Sequence, residues 1–286
     1  SSFATGAAIR MTNSTTLVEH CWFESNYLRI SSADSMYASG GAIEAYESDL
    51  TILDSDFLDN KVLCLLSADR TSSGEAHVRA SGGAVSSFGS KLTVEGTTFE
   101  ANGIECYVSR HDDTIVELEA DGGAIYIERT SETLRLKPRI TNCLFRGNDV
   151  YVTTNTMNYG SDRWSTTGGA LCINVDDIPI FTLVDTCTFQ DNQLHGAWNG
   201  GAIWGLPDND SQLHIRNCEF ICNSQQQVMQ GGMVEVNNYY EDCNGQQEPA
   251  EGPEEEPEPE EEPEIEEGPC LYDLNGDGVV DQVDRR

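Results

Sequence analysis

The chain has 286 residues and carries 16 lysines and arginines against 49 aspartates and glutamates, a formal net charge of −33 at pH 7. That balance argues against a nucleic-acid partner, whose phosphates it would repel, and against unassisted binding to anionic lipid. No apolar run approaches the roughly 20 residues of a membrane helix, so no membrane insertion is expected.

A tetrad of the Gly-Gly-Ala-Ile type recurs along most of the chain. It begins at Gly6 (there Gly-Ala-Ala-Ile), Gly40, Gly82, Gly122, Gly168, Gly200 and Gly231, at intervals of 34, 42, 40, 46, 32 and 31 residues. Each of the first six is followed by Phe-x-x-Asn, at Phe23/Asn26, Phe57/Asn60, Phe99/Asn102, Phe145/Asn148, Phe189/Asn192 and Phe220/Asn223. Self-similarity with this period signals a solenoid, a propeller or an array.

The aligned columns choose among these. Five residues before each Phe stand Val18, Ile52, Val94, Ile140, Val184 and Ile215, all β-branched and suited to packed strands. Two before it are the small residues Cys21, Ser55, Thr97, Cys143, Cys187 and Cys218, while the column between them and the Phe is mixed. That alternation is period two, with Phe and the small residue inward. After the tetrad comes a variable column (Arg10, Glu44, Ser86, Tyr126, Cys172, Trp204, Glu235), then a small or apolar one. A third apolar stretch follows most Asn residues, as in Val62 to Leu65 and Ile104 to Val108.

Three short strands per repeat and no helix predict an all-β fold, a right-handed parallel β-helix of about seven turns over 1–243. Gly-Gly is expected at a tight corner, and Asn in a hydrogen-bonded ladder, where it also tolerates the left-handed region. The polar inserts Ser31 to Ser39, Ser67 to Ser81, Ser109 to Asp121 and Thr153 to Thr167 are expected to project from one edge.

These repeats, over about residues 6 to 240, resemble those of the chlamydial polymorphic outer-membrane proteins and related bacterial β-helical surface proteins. The resemblance implies surface display and adhesion, to surface glycans or other extracellular proteins. The membrane β-barrel that ends members of that family has no counterpart in this sequence. No signal-peptide pattern precedes the first repeat, as expected of a mature product or a fragment.

Cysteines are read by position. Cys21, Cys143, Cys187 and Cys218 are expected as packed thiols of the small inward column. Cys64 and Cys106 each fall four residues after a repeat Asn on successive turns, which makes them the best candidates for a disulfide between rungs. Cys222, Cys243 and Cys270 are candidates for tying the last turn to the tail, and the lack of any Cys-x-x-Cys argues against zinc. Asn13 and Asn209 head glycosylation sequons.

Aromatic side chains suggest a further role. Trp164, Trp198 and Trp204 lie near the Gly-Gly corners, where they would either stack on sugars or pack under the inserts. Asp176-Asp177, His195-Gly196 and Ile215-Arg216 faintly echo the order of polygalacturonase motifs, but are better read as solvated turn residues, as Asp54, Asp56 and Asp59 are as surface charges.

Residues 244–269 form a Glu/Pro-rich stretch without a basic residue, expected to be an extended, self-repelling linker. Within 270–286, Asp273, Asn275, Asp277, Val279 (through its carbonyl), Asp281 and Asp284 fall at positions 1, 3, 5, 7, 9 and 12 of a calcium loop, with Gly278 at the sharp turn. This loop resembles one dockerin type I repeat, which implies calcium as cofactor and a cohesin-like partner; dockerins carry two such loops, and only one stands here.

The expectation is an extracellular or cell-surface structural or adhesive protein, non-catalytic, with a calcium-binding terminal module. A polysaccharide-degrading β-helix enzyme, lyase or glycoside hydrolase, is the alternative. The near-identical rungs, with no capping helix before Ala7, further predict head-to-tail self-association into fibres.

Overall fold

A computed structural model of the protein describes residues 2–32, 35–68, 75–110, 115–128, 137–154, 163–175, 181–195, 200–207, 212–224, 228–230, 233–241 and 247–248. The chain divides into two units, 1–250 and 251–286, and every described residue belongs to the first.

Among the described residues all regular structure is strand, and every pairing but the last is parallel, as a β-solenoid requires. One turn shows the plan. Glu75–Ser81 belongs to sheet I, Val85–Phe88 to sheet II, Lys91–Glu95 to sheet III, Thr98–Glu100 to sheet IV and Gly103–Arg110 to sheet V. Among the described residues these sheets contain five, seven, seven, eight and five strands in that order. Five sheets stand where the repeat alone predicts three: the stretch from the β-branched column to the Phe is broken at the Gly96 bend into sheets III and IV, and the described parts of the inserts form a further sheet instead of projecting loops. Met36–Ser39, Glu75–Ser81, Ile115–Asp121 and Arg163–Thr167, all inside expected inserts, pair in register as sheet I.

Each corner follows one local rule. In this turn Gly82, Gly89, Gly96 and Ala101, immediately before or within the four bends, have φ of 63°, 56°, 61° and 54°. In the preceding turn the same positions are Gly40, Glu47, Asp54 and Asp59, so the left-handed conformation belongs to the position and not to glycine alone. The residue that follows faces inward and links turns. The Ser48 N–H donates to Ser90 Oγ (2.9 Å), and the Asn60 N–H to Asn102 Oδ1 (3.0 Å). The ladder asparagines therefore do not take the left-handed conformation themselves; the residue before each one does, which leaves the Asn side chain free to point along the stack.

That ladder is continuous from Asn26 to Asn223, each Nδ2 donating to the next Oδ1 at 2.8–3.1 Å. At the Gly-Gly corner no side chain fits: a Cβ on Gly83 would lie 2.0 Å from the Gly123 carbonyl oxygen and 2.6 Å from the Gly103 nitrogen. The second glycine is thus set by close approach of backbones, the first by its φ.

Two cores result. The main one lies among sheets II, III and IV, around face-to-face rings from Phe23 through Phe57, Phe99, Phe145, Phe189 and Phe220 to Tyr240, with centroids 4.7–5.1 Å apart. That is the rung spacing itself. The side core lies between sheets I and V and contains Met36, Val78 and Leu118 on one side and Val62, Ile104 and Val150 on the other.

Because sheet I folds back beside the Gly-Gly corner, the variable column behind it is not outward: Glu44, Ser86, Tyr126 and Cys172 are buried. The seventh tetrad also departs from expectation. Val228–Gln230 joins sheet II, and Met233–Val236 pairs with Gln212–Arg216 in sheet III, so Glu235 stands beside Ile215 and not beside Trp204. Beyond it, Gln247–Glu248 pairs antiparallel with Tyr239–Glu241, inside the stretch read as linker.

Candidate ligand-binding face

Sheet V turns alternate residues inward to the side core and outward to solvent. Its outward positions form three columns: Tyr27, Lys61, Gly103, Asp149 and Gln193; Arg29, Leu63, Glu105, Tyr151 and His195; and Ser31, Leu65, Tyr107 and Thr153. Gly103 leaves the middle of this face without a side chain.

The groups around that gap hold one another. Lys61 Nζ contacts Glu105 Oε1 at 3.1 Å and Asp59 Oδ1 at 3.6 Å, and the Tyr107 hydroxyl donates to Glu105 Oε2 at 3.3 Å. The Tyr151 ring lies 6.1 Å from that of Tyr107 and 5.7 Å, edge-on, from the His195 imidazole. His195 Nε2 in turn lies 3.7 Å from Asp149 Oδ1, a shielded oxygen that accepts no hydrogen bond. Tyr107 and Tyr151 keep 40% and 36% of their surface exposed, so the rings are positioned without being covered.

Electrostatics follows the contacts. Burial works against the charge on Lys61, but Glu105 and Asp59 outweigh it and raise its pKa above the ordinary lysine value. Burial raises the Asp149 carboxyl above the usual carboxylate range, against the pull of His195.

A second polar group spans the seam between sheets I and II, from buried Asp121, Thr167, Cys172 and Tyr126 out to the partly exposed Arg79, Glu128 and Glu119. The Thr167 hydroxyl donates to Asp121 Oδ1 at 2.5 Å and lies 3.3 Å from Cys172 Sγ. Arg79 donates to the Tyr126 hydroxyl at 2.7 Å, pairs with Glu128, and sits 3.3 Å from Glu119. Burial is the main cause that pushes the Asp121 carboxyl up to about 7. The same cause holds the Cys172 thiol well above its ordinary value, which keeps it protonated and unreactive.

The expected site residues are placed unevenly. Cys64 and Cys106 are in register on neighbouring strands and both buried, as free thiols. Cys143, Cys187 and Cys218 are buried in the small column, whereas Cys21, on the first rung, is exposed. Trp164 occupies the register column of Met36, Val78 and Leu118, and Trp204 is half-buried beside Cys172 and Met229. Trp198, Asn209, Asp176, Asp177, Cys243 and the calcium-loop residues Asp273, Asn275, Asp277, Val279, Asp281 and Asp284 lie outside the described residues; Asn13 is exposed at a bend. His195 and Arg216 stand in different sheets, and Arg216 pairs with Asp185 at 2.8 Å, so the polygalacturonase-like order is not assembled by these two.

The outward tyrosines of sheet V went unread in the sequence. Their signal was the alternation around them, Ile104-Glu105-Cys106-Tyr107 and Val150-Tyr151-Val152, which sends both tyrosines outward wherever Ile104 and Val150 point in. No protein-family model, no curated protein and no solved structure matches this chain.

Proposed function

We propose that the chain is a secreted or cell-surface adhesive protein, a right-handed parallel β-helix of about seven turns that presents a binding face on a rigid scaffold. The observation that carries this reading is the outer face of sheet V, where exposed rings and paired charges stand together on a sheet braced from behind by its own core. Recognition surfaces favour such rigid amphipathic rings, because little side-chain freedom is lost on binding. Solid-phase binding of the whole chain to surface glycans and purified extracellular proteins tests it: a chain that captures none of them is not an adhesin.

The enzymatic alternative has less support on this face. General acid–base chemistry needs a group free to pass a proton. Lys61 is held as a cation by two carboxylates, and Glu105 is engaged by both Lys61 and Tyr107. Turnover of acidic or neutral polysaccharides by the purified chain would reverse this preference.

The terminal loop adds calcium to the reading. Asp273, Asn275, Asp277, Asp281 and Asp284 supply side-chain oxygens and Val279 a carbonyl, the donor set of a hard divalent cation. Isothermal titration of the whole chain is expected to show one calcium site that disappears in the double variant Asp273→Ala/Asp277→Ala. A cohesin-like protein is the partner class that the loop's dockerin resemblance suggests.

A further inference from the structure

We propose that the patch centred on Gly103 binds an uncharged pyranose oligosaccharide, its rings stacked on Tyr151 and Tyr107 and its hydroxyls bonded to Asp149, Glu105 and Lys61. This deepens the adhesive reading above and rests on it.

Three observations point to that ligand. The first is the series of rings. Among the described residues, only sheet V places three outward rings in mutual contact on consecutive turns, Tyr107, Tyr151 and His195. Sugar C–H faces are weakly polar and flat enough to lie on such rings, as apolar surface with a polar rim prefers.

The second is the rim around Gly103. Gly103 stands between Lys61 and Asp149 in one column and beside Glu105 in the next, and is buried beneath the polar groups and aromatic edges that ring it. Every group on the rim is held by a neighbour, through the series Lys61, Glu105, Tyr107, Tyr151, His195 and Asp149. A site fixed before its ligand arrives loses little conformational freedom on binding.

The third is charge. Two cations, Arg29 and Lys61, face three carboxylates, Asp59, Glu105 and Asp149, and Lys61 is already paired with two of them. An acidic sugar would bring a fourth carboxylate to a face where carboxylates already outnumber cations, on a chain of net charge −33. A neutral hydroxyl avoids that repulsion and can donate to the exposed part of the Asp149 carboxylate, whose side chain keeps 41% of its surface.

The test uses the full chain and a panel of hexasaccharides: β-1,4-linked glucose, mannose and xylose as neutral probes, and an oligogalacturonate as the acidic one. Titration is expected to show binding of at least one neutral probe that is insensitive to salt. Tyr151→Ala should weaken it about tenfold, as loss of a stacking ring does. Tyr151→Phe should leave it near the starting value, Asp149→Asn should weaken it several-fold, and Thr93→Ala on sheet III should change nothing.

Unaltered melting temperatures separate loss of binding from loss of fold. Neutral-probe binding that survives both Tyr151→Ala and Tyr107→Ala would overturn the site while leaving the adhesive reading in place. If the wild-type chain ignores every neutral probe, the saccharide inference falls. The adhesive reading then stands only if the oligogalacturonate or a purified extracellular protein is still captured, and a chain that captures nothing loses both.

Discussion

The two cores obey different rules although the same rungs pass through both. In the main core several columns repeat one residue type, so that Phe stacks on Phe and Asn on Asn at fixed spacing. In the side core only the in–out alternation is kept: Met36, Val78 and Leu118 share one column, Ile30, Cys64, Cys106 and Val152 another. A ladder needs identity because a hydrogen bond or a ring stack requires the same atoms on every rung. A merely apolar stack needs volume and polarity, which many residues supply. Repetition therefore marks the places where directional interactions bridge turns, and its absence does not mark the lack of a core.

Substitutions in the two regions should separate these rules. The largest effect is expected at the corner, where Gly83→Ala drives a Cβ into backbone atoms on two sides; a cost above about 4 kcal/mol in urea unfolding is the outcome that geometry demands. Phe99→Ala should cost about 3–5 kcal/mol, against under about 0.5 kcal/mol for its outward neighbour Thr98→Ala. Equal costs would refute the inward facing of the ring stack.

In the side core, Leu118→Ala should cost about 2–3 kcal/mol, because Leu118 is fully buried. Sheet I would have to be regarded as a loosely applied flap if that value came out near zero.

The smallest effect is electrostatic and concerns the seam between the cores. Asp121 has a folded pKa of about 7 against an ordinary 3.8, so the folded state binds its proton more tightly than the unfolded state does. Its contribution is most favourable below about pH 4, declines as pH climbs through the window to about 7, and is flat above it. The groups around it are Thr167, Glu119, Arg79, Glu128, Tyr126 and Cys172. Asp121→Asn keeps an acceptor for Thr167 without the charge, and should stabilise the protein by on the order of 2 kcal/mol above neutrality while leaving acidic stability little changed. Wild type and variant showing the same pH profile would mean that Asp121 is not held in its protonated form.

What the sequence disclosed follows the same division. Phe99, Asn102 and the Gly-Gly pair announced the solenoid, because each is nearly irreplaceable where it stands. Ala76-His77-Val78-Arg79-Ala80 and Val116-Glu117-Leu118-Glu119-Ala120 carry a clear period-two signal, yet their polar members and unequal spacing from the repeat disguised them as inserts. The binding face was hidden for that reason. Tyr107 and Tyr151 occupy different columns of sheet V, and only a diagonal contact between neighbouring strands brings their rings together.

The carboxamide of Asn102 has a mechanical corollary. Its Nδ2 donates forward to Asn148 Oδ1 at 3.1 Å and back to the Phe57 carbonyl at 2.9 Å, so one side chain rivets three consecutive turns. Asn60, Asn148 and Asn192 do the same. Extracting an inner turn would break rivets on both sides, whereas a turn at either end of the ladder is held on one side only. Under a pulling force such a rod should shed its turns from an extremity inward, and the middle rungs, where Gly103 sits, should be the last to yield.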